Sequence, residues 1–267
     1  MTAFTFDGVS GEYGKKSLVQ QSAARKLIGL LDLRGEESIL DVACGPGHIT
    51  RQVADLTSGR VVGTDISLGM VEEARKDYPG IEFRRVAAED LDYGSEFDVV
   101  FCNSALQWFS DGPGAVRAMF DALKPGGRFG LACPSTADFA PWFISVVETV
   151  SARPEIAPTY AHRHSPWFHL PDLESYQALF EKAGFMTSYV EMEHEVNQYT
   201  VDEAFGIYST GAAQGFIGRA YYDVELTDEY LEAFSSAVRE EMQRRAVDGR
   251  VQVDFNRMYY VGVKAAP

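Results

Sequence analysis

Short apolar runs stopped by an acid, a glycine or an asparagine recur through the first half of the chain. They are Ile39-Leu40-Asp41-Val42, Val61-Val62-Gly63-Thr64-Asp65, a run near 81–86, Phe97-Asp98-Val99-Val100-Phe101-Cys102, and 128–133. Runs this short and this rich in β-branched residues predict buried strands, and the longer polar–apolar stretches between them predict helices; that alternation belongs to a parallel α/β sheet. Past residue 134 the pattern loosens. A helix is expected from about Phe139 to Ser151, then a Pro-interrupted loop from Arg153 to Pro158 that runs on to His169. Asp172 can cap a helix over 173–182 and Gly184 can end it. A strand near 187–196 follows, then helical character over 200–245, broken by Gly211, Gly215 and Gly218, with the longest helix at 226–245. Alternation of Val251, Val253 and Phe255 with polar neighbours predicts a last strand over 251–263. No repeat, low-complexity tract or independent second domain is visible.

The chemistry gathers where the strands stop. After Asp41 the chain reads Val42-Ala43-Cys44-Gly45-Pro46-Gly47, a strand-to-helix turn through two glycines at the carboxyl edge of a sheet, where open α/β sheets bind ligands. A Cβ at Gly45 or Gly47 would hold a nucleotide-like ligand off the main chain, and such turns call for positive φ. The dinucleotide fingerprint needs a third glycine, but Thr50 stands there. An acid four residues before the first glycine also suits an amino group better than a diphosphate. The expected ligand is therefore nucleoside-like and cationic. Asp65 ends the second strand twenty residues after Gly45, the spacing at which an acid bonds both ribose hydroxyls. Ile66 and Met70 offer apolar surface to an adenine face, and Asp90 reaches the same edge to meet its amino group.

In order, the D-x-x-C-G-x-G loop, the ribose acid, the Glu89-Asp90-Leu91 segment, the Phe97-Asp98-x-Val strand and the Leu123-Lys124-Pro125-Gly126-Gly127 turn resemble the class I S-adenosylmethionine-dependent methyltransferases. The resemblance covers roughly residues 10–135. It implies a Rossmann-like, seven-stranded, mostly parallel sheet flanked by helices, with an antiparallel final strand and a helical lid over the carboxyl edge. It also implies S-adenosyl-L-methionine as cofactor, held by Asp41, Gly45, Gly47, Asp65, Ile66, Met70, Glu89, Asp90, Leu91 and Asn103. The expected division is a cofactor-binding core over 1–135, lid insertions at 136–170 and 197–225, and completion of the core sheet by 171–196 and 226–267. Tyr13, Gln20 and the segment Asn103-Ser104-Ala105-Leu106-Gln107-Trp108 are similar to the group that contains malonyl-carrier-protein, trans-aconitate and juvenile hormone acid methyltransferases, which methylate carboxylates.

A carboxylate is already a nucleophile at neutral pH, so its methylation needs alignment more than a base. Gln107 and Trp108 can supply an amide and an indole N–H to orient it, and Gln20, or its neighbour Gln21, can reach it from the first helix. Tyr13, His162, His164, Trp167 and Arg219 are the other candidates for acceptor binding. Arg163 and Arg219 could pair a second carboxylate through the guanidinium fork. His162, His164 and His169 have a spacing with no zinc-site precedent, and no metal is expected.

Net charge bounds the partners. With 24 basic and 39 acidic residues the 267-residue chain carries −15, leaving no basic stripe to neutralise nucleic-acid phosphates. The start, Met1-Thr2-Ala3-Phe4-Thr5-Phe6-Asp7, lacks the basic and apolar regions of a secretory signal, and no apolar run is long enough to span a membrane. A cytoplasmic enzyme acting on a small molecule, free or carried as a thioester, is the expectation. Cys44, Cys102 and Cys133 read as buried thiols. Two other readings stay open. One transfers the methyl group to nitrogen, carbon or sulfur with a histidine or tyrosine base; the other is a nicotinamide oxidoreductase, disfavoured by Thr50 and Asp41.

Overall fold

A computed structural model describes residues 18–134 and 136–266; Tyr13 lies outside the described residues. The described residues open on helix α1 (Leu18–Leu31). Strand β1 (Ile39–Val42), helix α2 (His48–Ala54), strand β2 (Val61–Asp65), helix α3 (Leu68–Asp77), strand β3 (Glu82–Arg85) and strand β4 (Phe97–Asn103) then alternate. Helix α4 (Gly112–Ala122) leads into strand β5 (Leu123–Pro134). Helices α5 (Pro141–Ser151), α6 (Ala157–Tyr160) and α7 (Leu173–Ala183) precede strand β6 (Phe185–Thr200). Helices α8 (Val201–Thr210), α9 (Ala213–Ile217) and α10 (Asp228–Arg245) and strand β7 (Arg250–Lys264) complete the described chain.

The seven strands form one sheet in the order β3-β2-β1-β4-β5-β7-β6. β1 pairs in parallel with β2 (Asp41 opposite Gly63) on one side and with β4 (Asp41 opposite Phe101) on the other. The chain thus winds outward from β1 to β3, then returns to β4 on β1's other flank. Where the winding direction reverses, the helical connections leave to opposite sides and open a crevice at the strands' carboxyl ends. β7 runs antiparallel to β5, with Leu131 opposite Tyr260, as the resemblance implied.

All four residues of β1 are buried, so it reads as an uninterrupted apolar run apart from Asp41. Local signals end the helices where expected. Asp172 Oδ1 accepts from Ser175 N at 2.8 Å, and Gly184 closes α7 at φ 110°. The Leu123–Gly127 turn survives inside β5 as a bulge: Leu123 pairs with Phe97, but the next pairs are Arg128 with Val99 and Phe129 with Val100. Between the sheet and helices α4 and α7, Phe129 stacks on Phe185 at 5.0 Å and Tyr260 lies 4.1 Å from Phe180.

The chain divides into two compact units. One holds 18–137, Phe168–Glu193 and 257–266; the other holds Asp138–Trp167 and His194–Asn256. The division departs from the boundaries read in the sequence, because α10 joins the second unit and 168–170 the first. Within the second unit Arg245 Nη1 donates to Ser145 Oγ at 2.7 Å, and Arg153 bridges to Glu240 at 3.1 Å, tying α5 and its C-terminal extension to α10. Thr200 and Glu203 cap α8 reciprocally.

Candidate active site

At the end of β1 the Asp41 carboxylate is 2% exposed and accepts from Thr50 Oγ1 at 2.6 Å. Burial pushes its pKa up to about 7, the Thr50 hydroxyl opposes that, and the nearby Asp65 charge adds to it. Asp41 therefore braces the loop from behind. Thr50, which entered the sequence reading only as a missing glycine, is its partner. A hydroxyl on the first turn of the following helix, nine residues beyond a buried acid, is the signal that could have found it.

The two loop glycines do different work. A Cβ on Gly47 would sit 2.9 Å from Phe83 Cζ and 3.0 Å from Ala74 Cβ, and the residue is at φ 82°. Its bareness serves packing inside the protein, a correction to the ligand-approach role expected for it. Around a Cβ at Gly45 (φ 55°) there is nothing within 4 Å. That open backbone is the part of the turn a ligand can approach. Gly45 N donates to Asp65 Oδ2 and Ser67 N to Asp65 Oδ1, both at 2.9 Å. Asp65 is half-buried and fixed at the end of β2.

Ile66 beside it is half-buried, whereas Met70 is buried in α3 and its amide donates to the Ser67 cap. The Ala88–Asp90 stretch is a single 3₁₀ turn. In it Glu89 accepts from Ser110 Oγ, Asp90 is exposed, and Leu91 packs on the core.

The end of β4 presents amide oxygens. Asn103 Nδ2 donates to the backbone carbonyl of Gln20 at 3.1 Å, and Gln107 Nε2 donates to the Ser104 carbonyl at 2.9 Å. Among the described residues neither Asn103 Oδ1 nor Gln107 Oε1, both buried, has a hydrogen-bond partner. Reversing either amide would set oxygen against carbonyl oxygen, so the orientation follows from the network. Gln107 was expected to point an N–H at the acceptor; one N–H is spent on Ser104 and the open atom is an acceptor. Its own carbonyl takes the Phe168 amide at 2.8 Å. Ser104 has φ 59°, a left-handed conformation off glycine, of the kind that collects at functional turns. Trp108 is half-buried in the 3₁₀ turn Leu106–Trp108. Gln20 meets this turn region through its backbone.

The second unit holds the other candidates. His164 Nε2 lies 2.7 Å from Asp223 Oδ2, with both side chains about two-thirds exposed (64% and 66%). His162 is exposed, and His169 belongs to the other unit. Arg219 is engaged by Asp228 and by the Leu226 carbonyl, so its fork is already filled, against the expectation that it would pair a substrate carboxylate. Trp167 lies edge-on to Phe139 at 5.2 Å and to Phe216 at 4.9 Å. All three cysteines are buried free thiols. Among the described residues no histidine, cysteine and acid cluster could hold a metal, and no helix is long and apolar enough to cross a membrane.

A reversing parallel sheet, a bare Gly45 backbone and hydrogen-bond acceptors at the ends of β2 and β4 fit a ligand bearing an ammonium, a ribose diol and an adenine amino group. The chain is an S-adenosyl-L-methionine-dependent methyltransferase. Residues 39–127 match a family described as a methyltransferase domain. The chain is 28% identical over 246 residues to a trans-aconitate 2-methyltransferase of Rhodopseudomonas palustris, covering 90% of this chain and 93% of that one. It is 33% identical over 120 residues to a malonyl-[acyl-carrier protein] O-methyltransferase of Acetivibrio thermocellus, a match that covers 43% and 42% of the two chains. Among solved structures the YcgJ protein of Bacillus subtilis shares the fold, with TM-score 0.63 and 18% identity over 92% of this chain and 100% of that one.

Proposed function

We propose that the enzyme methylates a carboxylate oxygen of a small acid, free or carried as a thioester, in the cytoplasm. Two named relatives support the reading, the trans-aconitate and the malonyl-carrier-protein enzymes. The observation that carries it is the set of groups at the end of β4. Gln107 keeps a second amide N–H beyond the one given to Ser104, Trp108 carries an indole N–H, and the described residues nearest them in sequence include no histidine, lysine or tyrosine that could take a proton. Orientation without proton transfer is what an already ionised acceptor needs.

When bound, the cofactor supplies an electrophilic methyl group on a sulfonium. Asp65 and the Gly45 backbone are assigned to its nucleoside, with Asp90 and Leu91 beside the adenine. The buried Asn103 oxygen is assigned to its ammonium. Gln107 and Trp108 then align the acceptor, with Gln20 as a further contact from α1. The test is the single-turnover rate at saturating cofactor between about pH 6.5 and 9. An acid with pKa near 4 stays ionised there, so the rate stays flat. A tenfold rise that vanishes in a His162, His164 or His169 variant would transfer the assignment to a base-dependent nitrogen, carbon or sulfur acceptor.

A further inference from the structure

Gln107 and Trp108 sit in a single 3₁₀ turn, Leu106–Trp108, an element too short to hold its own shape well. Three carbonyls around it are satisfied locally: Ser104 by the Gln107 side chain at 2.9 Å, Ala105 by the Trp108 amide at 2.8 Å and Leu106 by the Phe109 amide at 3.2 Å. The fourth is different. The carbonyl of Gln107 itself accepts from the amide of Phe168, sixty-one residues further on, at 2.8 Å. Both residues belong to the first unit.

Phe168 lies in a stretch without regular secondary structure, 164–170, so no helix or strand ladder sets the position of its amide. Its side chain does. The half-buried ring packs against the core cluster that includes Leu106 and Ala115, and it fills the space beside Gly112, the buried first residue of α4. A Cβ on Gly112 would fall 2.8 Å from Phe168 Cε1, 2.9 Å from Cδ1 and 3.0 Å from Cζ. Two residues beyond, the Leu170 amide donates to the Tyr176 hydroxyl at 3.2 Å. Gly112 is thus the seat of the ring, and the seated ring holds its own amide against the Gln107 carbonyl.

We propose that Phe168 is a positioning residue for the acceptor half of the site: seated on Gly112, it fixes the turn in which Gln107 and Trp108 align the acceptor. This rests on the reading that those two residues align an acid; the clamp from Phe168 to Gln107 stands on the geometry of the first unit alone.

The test uses the full chain. Nuclear magnetic resonance on protein saturated with S-adenosylhomocysteine reads the exchange rate of the Phe168 amide and the side-chain amide signals of Gln107; ester formation from succinate, glutarate and adipate at saturating cofactor reads the rate. Phe168→Ala should lower kcat by about tenfold or more, with S-adenosylhomocysteine affinity within about twofold of wild type, because the interaction lost belongs to alignment. Gly112→Ala should speed exchange at Phe168, shift the Gln107 amide signals and lower kcat as well. A Cβ before Pro113 is also disfavoured in a helix on its own account. The double variant separates the two causes. Without the ring the new Cβ has nothing to displace, so the double variant should match Phe168→Ala within about twofold, whereas independent roles would multiply the two losses. Phe168→Leu keeps the amide and a packed side chain with fewer atoms beside Gly112; it should restore most of the rate lost in Gly112→Ala, and it replaces Phe168→Ala in the cycle if that protein does not fold.

Multiplied losses, or Gln107 amide signals in Gly112→Ala that superimpose on those of wild type, overturn the clamp. If acids are esterified with the wild-type kcat in both single variants, the clamp falls and acid methylation stands. If the Gln107 signals shift in both but wild type esterifies none of the acids, the clamp stands and the acid reading falls.

Discussion

The first unit presents its chemistry through backbone turns and short side chains at strand ends; the second presents it through long, aromatic and cationic side chains packed on one another. In the first, the Asp65 and Asn103 side chains are fixed by hydrogen bonds to main-chain atoms of Gly45, Ser67 and Gln20. In the second, Arg163, Trp167, Tyr208 and Phe216 are fixed mainly by ring faces. A cofactor with one invariant structure can be met by rigid main chain. Side chains on helices can be exchanged for a new acceptor without disturbing a sheet.

The contrast is broken most severely at its two crowded glycines. Gly47→Ala drives a Cβ into Phe83 and Ala74 at positive φ, and should cost about 3 kcal/mol of unfolding free energy. Gly215→Ala meets Trp167 and should cost about 2–3 kcal/mol while leaving S-adenosylhomocysteine affinity within twofold of wild type. Urea titration with parallel calorimetry reads both. Loss of cofactor affinity in Gly215→Ala, measured on protein that is still folded, would show that the two units do not divide the labour as described.

Next in size is the ribose acid. Asp65→Ala should weaken cofactor binding by about 1.5–3 kcal/mol. It should also loosen the loop, because Gly45 N and Ser67 N lose their acceptor. Gly45→Ala separates these effects: its Cβ has open space, so the strain is only about 1–2 kcal/mol, yet the methyl group occupies the approach to the backbone and affinity should fall tenfold or more. Unchanged affinity in Gly45→Ala would remove the bare backbone from the cofactor site.

A smaller effect follows from Asp41. Its folded pKa, about 7, lies above the ordinary 3.8 of an aspartate carboxyl. The folded state therefore holds a proton that the unfolded state releases, and this contribution to stability is complete below about pH 4 and lost as pH rises through about 7. Asp41→Asn should flatten that part of the stability–pH curve in thermal melts; an unchanged slope would show that the carboxylate is ionised throughout. Smallest of all is Arg219→Ala. Its partner Asp228 is 84% exposed, so stability should move by no more than about 0.5 kcal/mol. The kcat/KM for acids should hold within twofold.

The strand positions, the Asp172 cap, the Gly184 stop and the antiparallel last strand were legible because each follows from periodicity or from one residue's backbone preference. Asp65 was legible because βαβ geometry ties spacing to position. Less was legible where a role depends on what packs behind a residue. Gly47 looked like a ligand-facing glycine because Phe83, thirty-six positions away in the sequence, is invisible to a local pattern. Gln107 was recognisable as a site residue, but which end of its amide stays open is decided by the Ser104 carbonyl. Arg163 and Arg219 are indistinguishable in sequence, since a guanidinium's availability depends on whether an acid such as Asp228 has already taken it.

The bond from Gly45 N to Asp65 carries a spectroscopic consequence. An amide proton donated to a carboxylate resonates far downfield, and this one joins the ends of two adjacent strands at the residues assigned to the cofactor. When a ribose diol shares that carboxylate, the electron density offered to the Gly45 proton drops. One glycine cross-peak thus becomes a built-in meter of cofactor occupancy, separate from any signal that arises in the acceptor half of the enzyme.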